Sequence, residues 1–164
     1  MLAISDIAPI HLALTILLSG TGFTVFWWLD SITHGRLVHT DITPQELTTH
    51  RIILATSLFM MSALFLMYWI EPLLMLPLFI AGFITRTAHE AMDEIHFHID
   101  RCTPYESALH LGMWLSILTN TSALFMWGFF TQYHGVEELP IILYIWAGII
   151  GIAIIYISKK EWSR

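Results

Sequence analysis

The chain has 164 residues, 56% of them apolar or aromatic and only 12% charged, with a mean hydropathy of +0.68. Soluble domains carry roughly 25% charged residues, so the composition excludes a water-soluble globule. A formal charge of −6 with seven Lys and Arg excludes a nucleic-acid-binding role. One cysteine, Cys102, excludes an intramolecular disulfide and a CxxC zinc site. What remains is a single all-α integral membrane domain over residues 1–164.

A bilayer core about 30 Å thick takes roughly 20 apolar helical residues to cross. Ala8–Leu29 is the first such span, and no basic region precedes it, so it reads as a span and not as a cleaved signal peptide. A polar stretch follows with Asp30, His34, His39, Glu46 and His50. Within it Thr43 is a natural N-cap, with Pro44 at the first helical position. The second span is Ile52–Ile70. Glu71–Pro72 then breaks the chain, and Leu73–Arg101 reads as one long third helix. Only the apolar part, Leu73–Ile84, lies in lipid, and the rest projects beyond it. Thr103 and Pro104 repeat the cap signal and open the fourth span, Tyr105–Phe130, which holds Asn120 and Thr121 at membrane depth. Leu139–Ser158 is the fifth. No internal repeat is read along the chain.

Five spans put the termini on opposite sides. With the N-terminus outside, every Lys and Arg falls on one face: Arg36, Arg51, Arg86, Arg101, Lys159, Lys160 and Arg164. Basic residues stay on the cytoplasmic side of membrane proteins. The expected topology is therefore a multi-pass cell (inner) membrane protein with its C-terminus in the cytoplasm.

The same sorting gathers histidines. Seven of the nine fall on the basic face, and only His11 and His134 lie opposite. Carboxylates stand four residues from histidines in Asp30/His34, Glu46/His50, His89/Asp93, Glu94/His98 and Glu106/His110. Residues four apart share a helix face, so each pair offers an imidazole and a carboxylate to one point. Such ligands suit iron, then zinc or manganese, and four-helix di-metal proteins use a related Glu/His arrangement. On the third helix an α-helical repeat of about 100° groups His89, Asp93, His96 and Asp100 beside the apolar face. It leaves Glu90 and Glu94 facing solvent. The expected ligands are His89, Asp93, His96, His110 and Glu106, then His34, His39, His50 and Asp30. His98 and Cys102 read as marginal. Taken singly, any of these histidines is explained by capping or by pairing with Arg86 or Arg101. Five spaced pairs on one face point to a site.

Two short elements resemble known families. His34 and His39 resemble a histidine box of the membrane desaturases and hydroxylases, although His96-Phe97-His98 lacks the paired histidines of the other boxes. Asp30/His34 followed by His96 and His110 resembles an element of the C subunits of copper membrane monooxygenases, with a different histidine spacing and an inverted distribution of basic residues. Both likenesses cover short motifs only and supply no residue roles.

The residues thus point to a cytoplasm-facing His/carboxylate centre, expected to be di-nuclear non-haem iron or zinc, in redox or hydroxylation chemistry on a lipid-soluble substrate. The alternatives are a non-enzymatic metal or proton transporter or sensor component, and an accessory subunit of a larger membrane complex. The partners expected are the lipid bilayer, a lipid-soluble substrate, and either a second copy or a larger membrane complex.

Overall fold

The structure is a computed structural model that describes residues 7–37, 42–99 and 101–163, and for residues 34–37 the backbone alone. Every long element among the described residues is an α-helix: α1 (Pro9–Leu37), α2 (Pro44–Leu66), α3 (Pro72–Asp93), α4 (Pro104–Thr131) and α5 (Ile141–Trp162). A π-helical turn, Glu94–His98, extends α3, and a 3₁₀ turn, Val136–Glu138, precedes α5. Four helical stretches are long and apolar enough to cross a membrane: Pro9–Thr33, Pro44–Leu66, Pro72–His98 and Ile141–Trp162. α4, which carries Glu106, His110 and Asn120, has no stretch of that apolarity and does not join them.

The helix starts follow local chemistry. Thr43 and Thr103 each accept a hydrogen bond from the backbone N–H three residues on, at Glu46 and Glu106. Each of those glutamates bonds back to the cap's own backbone N–H. This reciprocal box satisfies donors that a helix start leaves orphaned, and proline at the next position lacks the N–H that would be wasted there. α2 therefore begins at Pro44, well ahead of the apolar run that starts at Ile52, and it ends at Leu66, with a turn over the next residues. His50 is thereby an early helical residue and not part of a loop.

The bundle is apolar outside. Leu58, Trp69, Ile84, Leu111, Ile152 and Ile155 are all exposed. Contiguous apolar surface on this scale is foreign to soluble monomers and suits lipid. The interior divides by height. At the end holding the starts of α1 and α5 and the ends of α2 and α4, Leu12, Leu17, Leu64, Met67, Leu124, Trp127 and Tyr133 form the apolar core. The buried polar residues Asp30, Ser31, Glu46, Asp93, His98 and Glu106 gather at the other end.

α1 packs mainly on α4, and α2 mainly on α3. That pairing exposes a repeat which the sequence reading denied. Thr-Pro-x-Glu-x-x-x-His occurs at 43–50 and at 103–110, and Ser-Ala-Leu-Phe at 62–65 and at 122–125, each shifted by 60 residues (103 − 43; 122 − 62). The buried residues of α2 are Glu46, Thr49, Met60, Ala63 and Leu64. Their counterparts 60 residues on, Glu106, Leu109, Asn120, Ala123 and Leu124, are all buried in α4. α1 and α3 correspond with a shift of 63, Asp30 to Asp93 and Ile32 to Ile95. The close contacts correspond too. Asn120 Nδ2 reaches Ser19 Oγ at 3.2 Å, and the equivalent positions, Met60 and Gly82, meet so closely that a Cβ on Gly82 would lie 3.0 Å from Met60 Cβ. Two helical hairpins that run the same way and swap partners in this manner are related by an approximate two-fold axis along the bundle. Few residues are identical between the copies, so the repeat shows in spacing and burial and is hidden in hydropathy. α5 lies outside the repeat, against α1.

Candidate metal centre

The polar end draws one side chain or more from each of the first four helices. His50 on α2 lies with Nε2 3.2 Å from Asp93 Oδ2 on α3. His110 on α4 lies with Nε2 3.3 Å from Asp30 Oδ1 on α1, and its Nδ1 is 2.9 Å from Glu94 Oε2. His98, 1% exposed, stands between these pairs. Its Nε2 is 3.3 Å from Asp93 Oδ2 and 3.6 Å from Glu46 Oε1. Its ring lies parallel to that of His50 at 6.4 Å and edge-on to that of His110 at 4.7 Å. Glu46 is fully buried and takes an ion pair from Arg101.

His50 and His110 therefore pair with carboxylates of other helices, and His98 alone among the three pairs along its own helix, with Asp93. The cause lies partly in the capping boxes. Glu46 and Glu106 turn back towards the caps of their own helices, so neither covers the histidine one turn on. Glu90, expected to face solvent, forms a two-pronged ion pair with Arg86, whose Nη2 is 2.7 Å from Glu90 Oε1. Arg86 also donates to Ser57 at 2.9 Å. Glu94 is likewise engaged, by His110.

The π turn accounts for the largest difference from the sequence reading. Ile99 N–H bonds to Glu94 C=O, five residues back, which is the signature of a π-bulge. One extra residue per turn places His98, not His96, under Asp93. His96 is exposed and its ring bonds only the Met92 carbonyl of its own helix, at 3.2 Å. His89 is half-buried and bonds the Thr85 carbonyl in the same way, at 2.9 Å. Of the expected ligands, the structure brings Asp30, His50, Asp93 and His110 together, buries Glu106 in its capping box, and leaves His89 and His96 outside. His39 and the side chain of His34 lie outside the described residues.

Three candidates that the spacing undervalued belong to the cluster: His98, Glu46 and Cys102. His98 was hidden because a uniform α-helical angle carries it away from Asp93, and a π-bulge leaves no mark in hydropathy. Cys102 Sγ lies 2.9 Å from His98 Nδ1. Burial, then the charges of Glu106, Glu94 and Asp30, pushes its thiol up to about 12, so it is neutral at physiological pH.

Two sets of ligand atoms lie within 4.8 Å of one another: Glu46, His50 and His98; and His98, Cys102 and His110. Ligands at about 2.0–2.2 Å around one ion are roughly 3.4 Å apart in a tetrahedron, so small side-chain adjustments bring either set onto a transition-metal ion. Asp93 adds a carboxylate whose Oδ1 is buried and accepts no hydrogen bond. Buried oxygens of this kind are rare without a partner. No family model, curated protein or solved structure matches the chain.

Proposed function

We propose that this chain is a membrane metalloprotein that holds transition-metal ions in the polar end of its four-helix core. The observation that carries the reading is the convergence of Glu46 and His50 on α2 with His98 on the π turn that extends α3, where Asp93 keeps a buried Oδ1 that accepts no hydrogen bond. Imidazole and carboxylate are the ligands of non-haem iron, then of zinc and manganese. Cys102, beside the far nitrogen of His98, orients that ring, as outer hydrogen-bond partners do at metal sites. The polar end faces the cytoplasm in this reading, because basic side chains belong there, and Arg51 and Arg86 lie on helices that build it and Arg101 on the turn before α4.

The activity that fits best is oxidation or hydroxylation of a lipid-soluble substrate. An apolar cleft of about 300 Å³ between α1 and α5, lined by Thr24, Val25, Trp28, Ala153, Tyr156 and Ile157, opens within two turns of Asp30 and supports entry from the bilayer. Hydroxylation puts one atom of O₂ into a C–H bond and reduces the other to water, with two electrons and two protons from an external donor. The acidic and imidazole groups around the centre suit the proton side of that balance. Metal analysis of protein purified without chelator tests the reading. Bound iron, zinc or manganese that falls in His50→Ala and His98→Ala supports it. Protein with no metal, whose thermal stability does not change with added Fe(II), Mn(II) or Zn(II), overturns it.

A further inference from the structure

His98 belongs to both sets of converging ligand atoms, and its two ring nitrogens face different groups. Nε2 lies 3.3 Å from Asp93 Oδ2 and 3.6 Å from Glu46 Oε1, the side of the set that includes His50. Nδ1 lies 2.9 Å from Cys102 Sγ. The backbone arranges this. The π turn brings His98 under Asp93, and the Cys102 N–H bonds the His98 carbonyl at 2.8 Å, so Cys102 follows one turn on along the same face. His110 completes the second set from α4, its ring edge-on to His98 at 4.7 Å. The His110 nitrogens are held by Glu94 at 2.9 Å and Asp30 at 3.3 Å. Whichever nitrogen takes an ion leaves the other on a carboxylate, the arrangement that orients metal-bound histidines.

We infer that the imidazole of His98 bridges two metal ions, one on Nε2 with Glu46 and His50, and a second on Nδ1 with Cys102 and His110. The two nitrogens of one ring point to different sides of it, so a single ion cannot use both. The sets also differ in softness. Imidazole with carboxylate suits iron or manganese, whereas a thiolate with two imidazoles suits zinc, so the second position is a zinc-type site. Filling it frees the thiol proton of Cys102 and the remaining ring N–H proton of His98, both to buffer, and transfers no electron. Until it is filled, Cys102 serves only to orient the ring. The inference rests on the metal reading above and adds the second ion, its ligands and the shared imidazole.

Cobalt(II) titration of the metal-stripped full chain in detergent tests it. Bound cobalt is counted by elemental analysis, and cobalt–thiolate charge transfer is read in the near ultraviolet. The wild type binds two ions per chain and shows the thiolate band, a result that needs no variant to fold. Cys102→Ala binds one ion and loses the band, whereas His50→Ala binds one and keeps it. His98→Ala weakens both ions by more than about tenfold, the scale that even outer partners of metal ligands carry. His96→Ala, altered at an exposed histidine outside both sets, keeps two ions and the band. Size-exclusion and circular dichroism identify any variant that fails to fold. One ion in the wild type, with or without the band, overturns this inference and leaves the metal reading standing. Two ions without the band, or a folded His98→Ala chain that loses only one ion, also overturn it. No cobalt in the wild type overturns both.

Discussion

At the scale of single residues, the capping threonines are the clearest case of sequence dictating structure. Thr43 and Thr103, each followed by proline and by glutamate at the third position, set the starts of α2 and α4 and hence the height of His50 and His110. Removing a cap hydroxyl costs about 1 kcal/mol. Thr43→Ala and Thr103→Ala are therefore each expected to lower stability by about that amount in a reversible denaturation assay in detergent, and by similar amounts because the boxes are equivalent. Thr→Ser, which keeps the hydroxyl, stays near wild type. A cost at one site and none at the other contradicts the equivalence. Asn120 is a second such residue. It donates to the Ile16 carbonyl at 2.7 Å and to Ser19, joining α4 to α1 in the apolar zone. Interhelical hydrogen bonds in membranes contribute about 0.6 kcal/mol on average, and up to about 1.7. Asn120→Leu therefore loses about that much, and a stabilised variant contradicts the assignment. The members of the His/carboxylate cluster were only partly legible. Asp30, His50, Asp93, Glu106 and His110 follow from side and spacing, whereas His98 depends on a π turn that the sequence spacing alone does not announce.

At the scale of elements, close helix contact depends on a few small residues. Gly82 on α3 lies against Met60 of α2, where an added Cβ would meet Met60 Cβ at 3.0 Å and its backbone at 3.1 Å. Gly148 and Gly151 on α5 have nothing within 4 Å. Gly82→Ala is therefore expected to destabilise by about 1–3 kcal/mol through overpacking, while Gly148→Ala and Gly151→Ala leave the melting temperature near or slightly above wild type, since alanine favours helix over glycine. A melting series in one detergent checks all three. A harmless Gly82→Ala shows that α2 and α3 do not pack at this point. The number of helices and most of their limits were legible, because long apolar runs ending at Pro72, Pro104 and Pro140 leave few choices. The repeat was equally present in the sequence, at Thr-Pro-x-Glu-x-x-x-His and Ser-Ala-Leu-Phe. It went unread because the intervening residues differ while keeping only their burial, a property that spacing shows once packing is known.

At the scale of the whole molecule, the chain is a helical bundle, four of whose helical stretches are long and apolar enough to cross a membrane, with an apolar core at one end and a buried His/carboxylate cluster at the other. Reading the basic residues as cytoplasmic fixes a direction for it. A cysteine placed at Glu138 in a Cys102→Ser background is expected to react with membrane-impermeant maleimide in intact cells, and one placed at Lys160 only after lysis. The reverse pattern inverts the topology and puts the cluster outside. The cluster draws on each of the first four helices. His50 and His110 each reach across to an aspartate of the other hairpin, so the centre exists only when both hairpins dock. Elemental analysis of the purified wild-type chain, coupled to anomalous scattering from its crystals, tests the central claim most directly. The account predicts bound transition metal, with an anomalous peak beside Glu46, His50 and His98. Full-length, folded protein with no bound metal and no anomalous density between these histidines contradicts it.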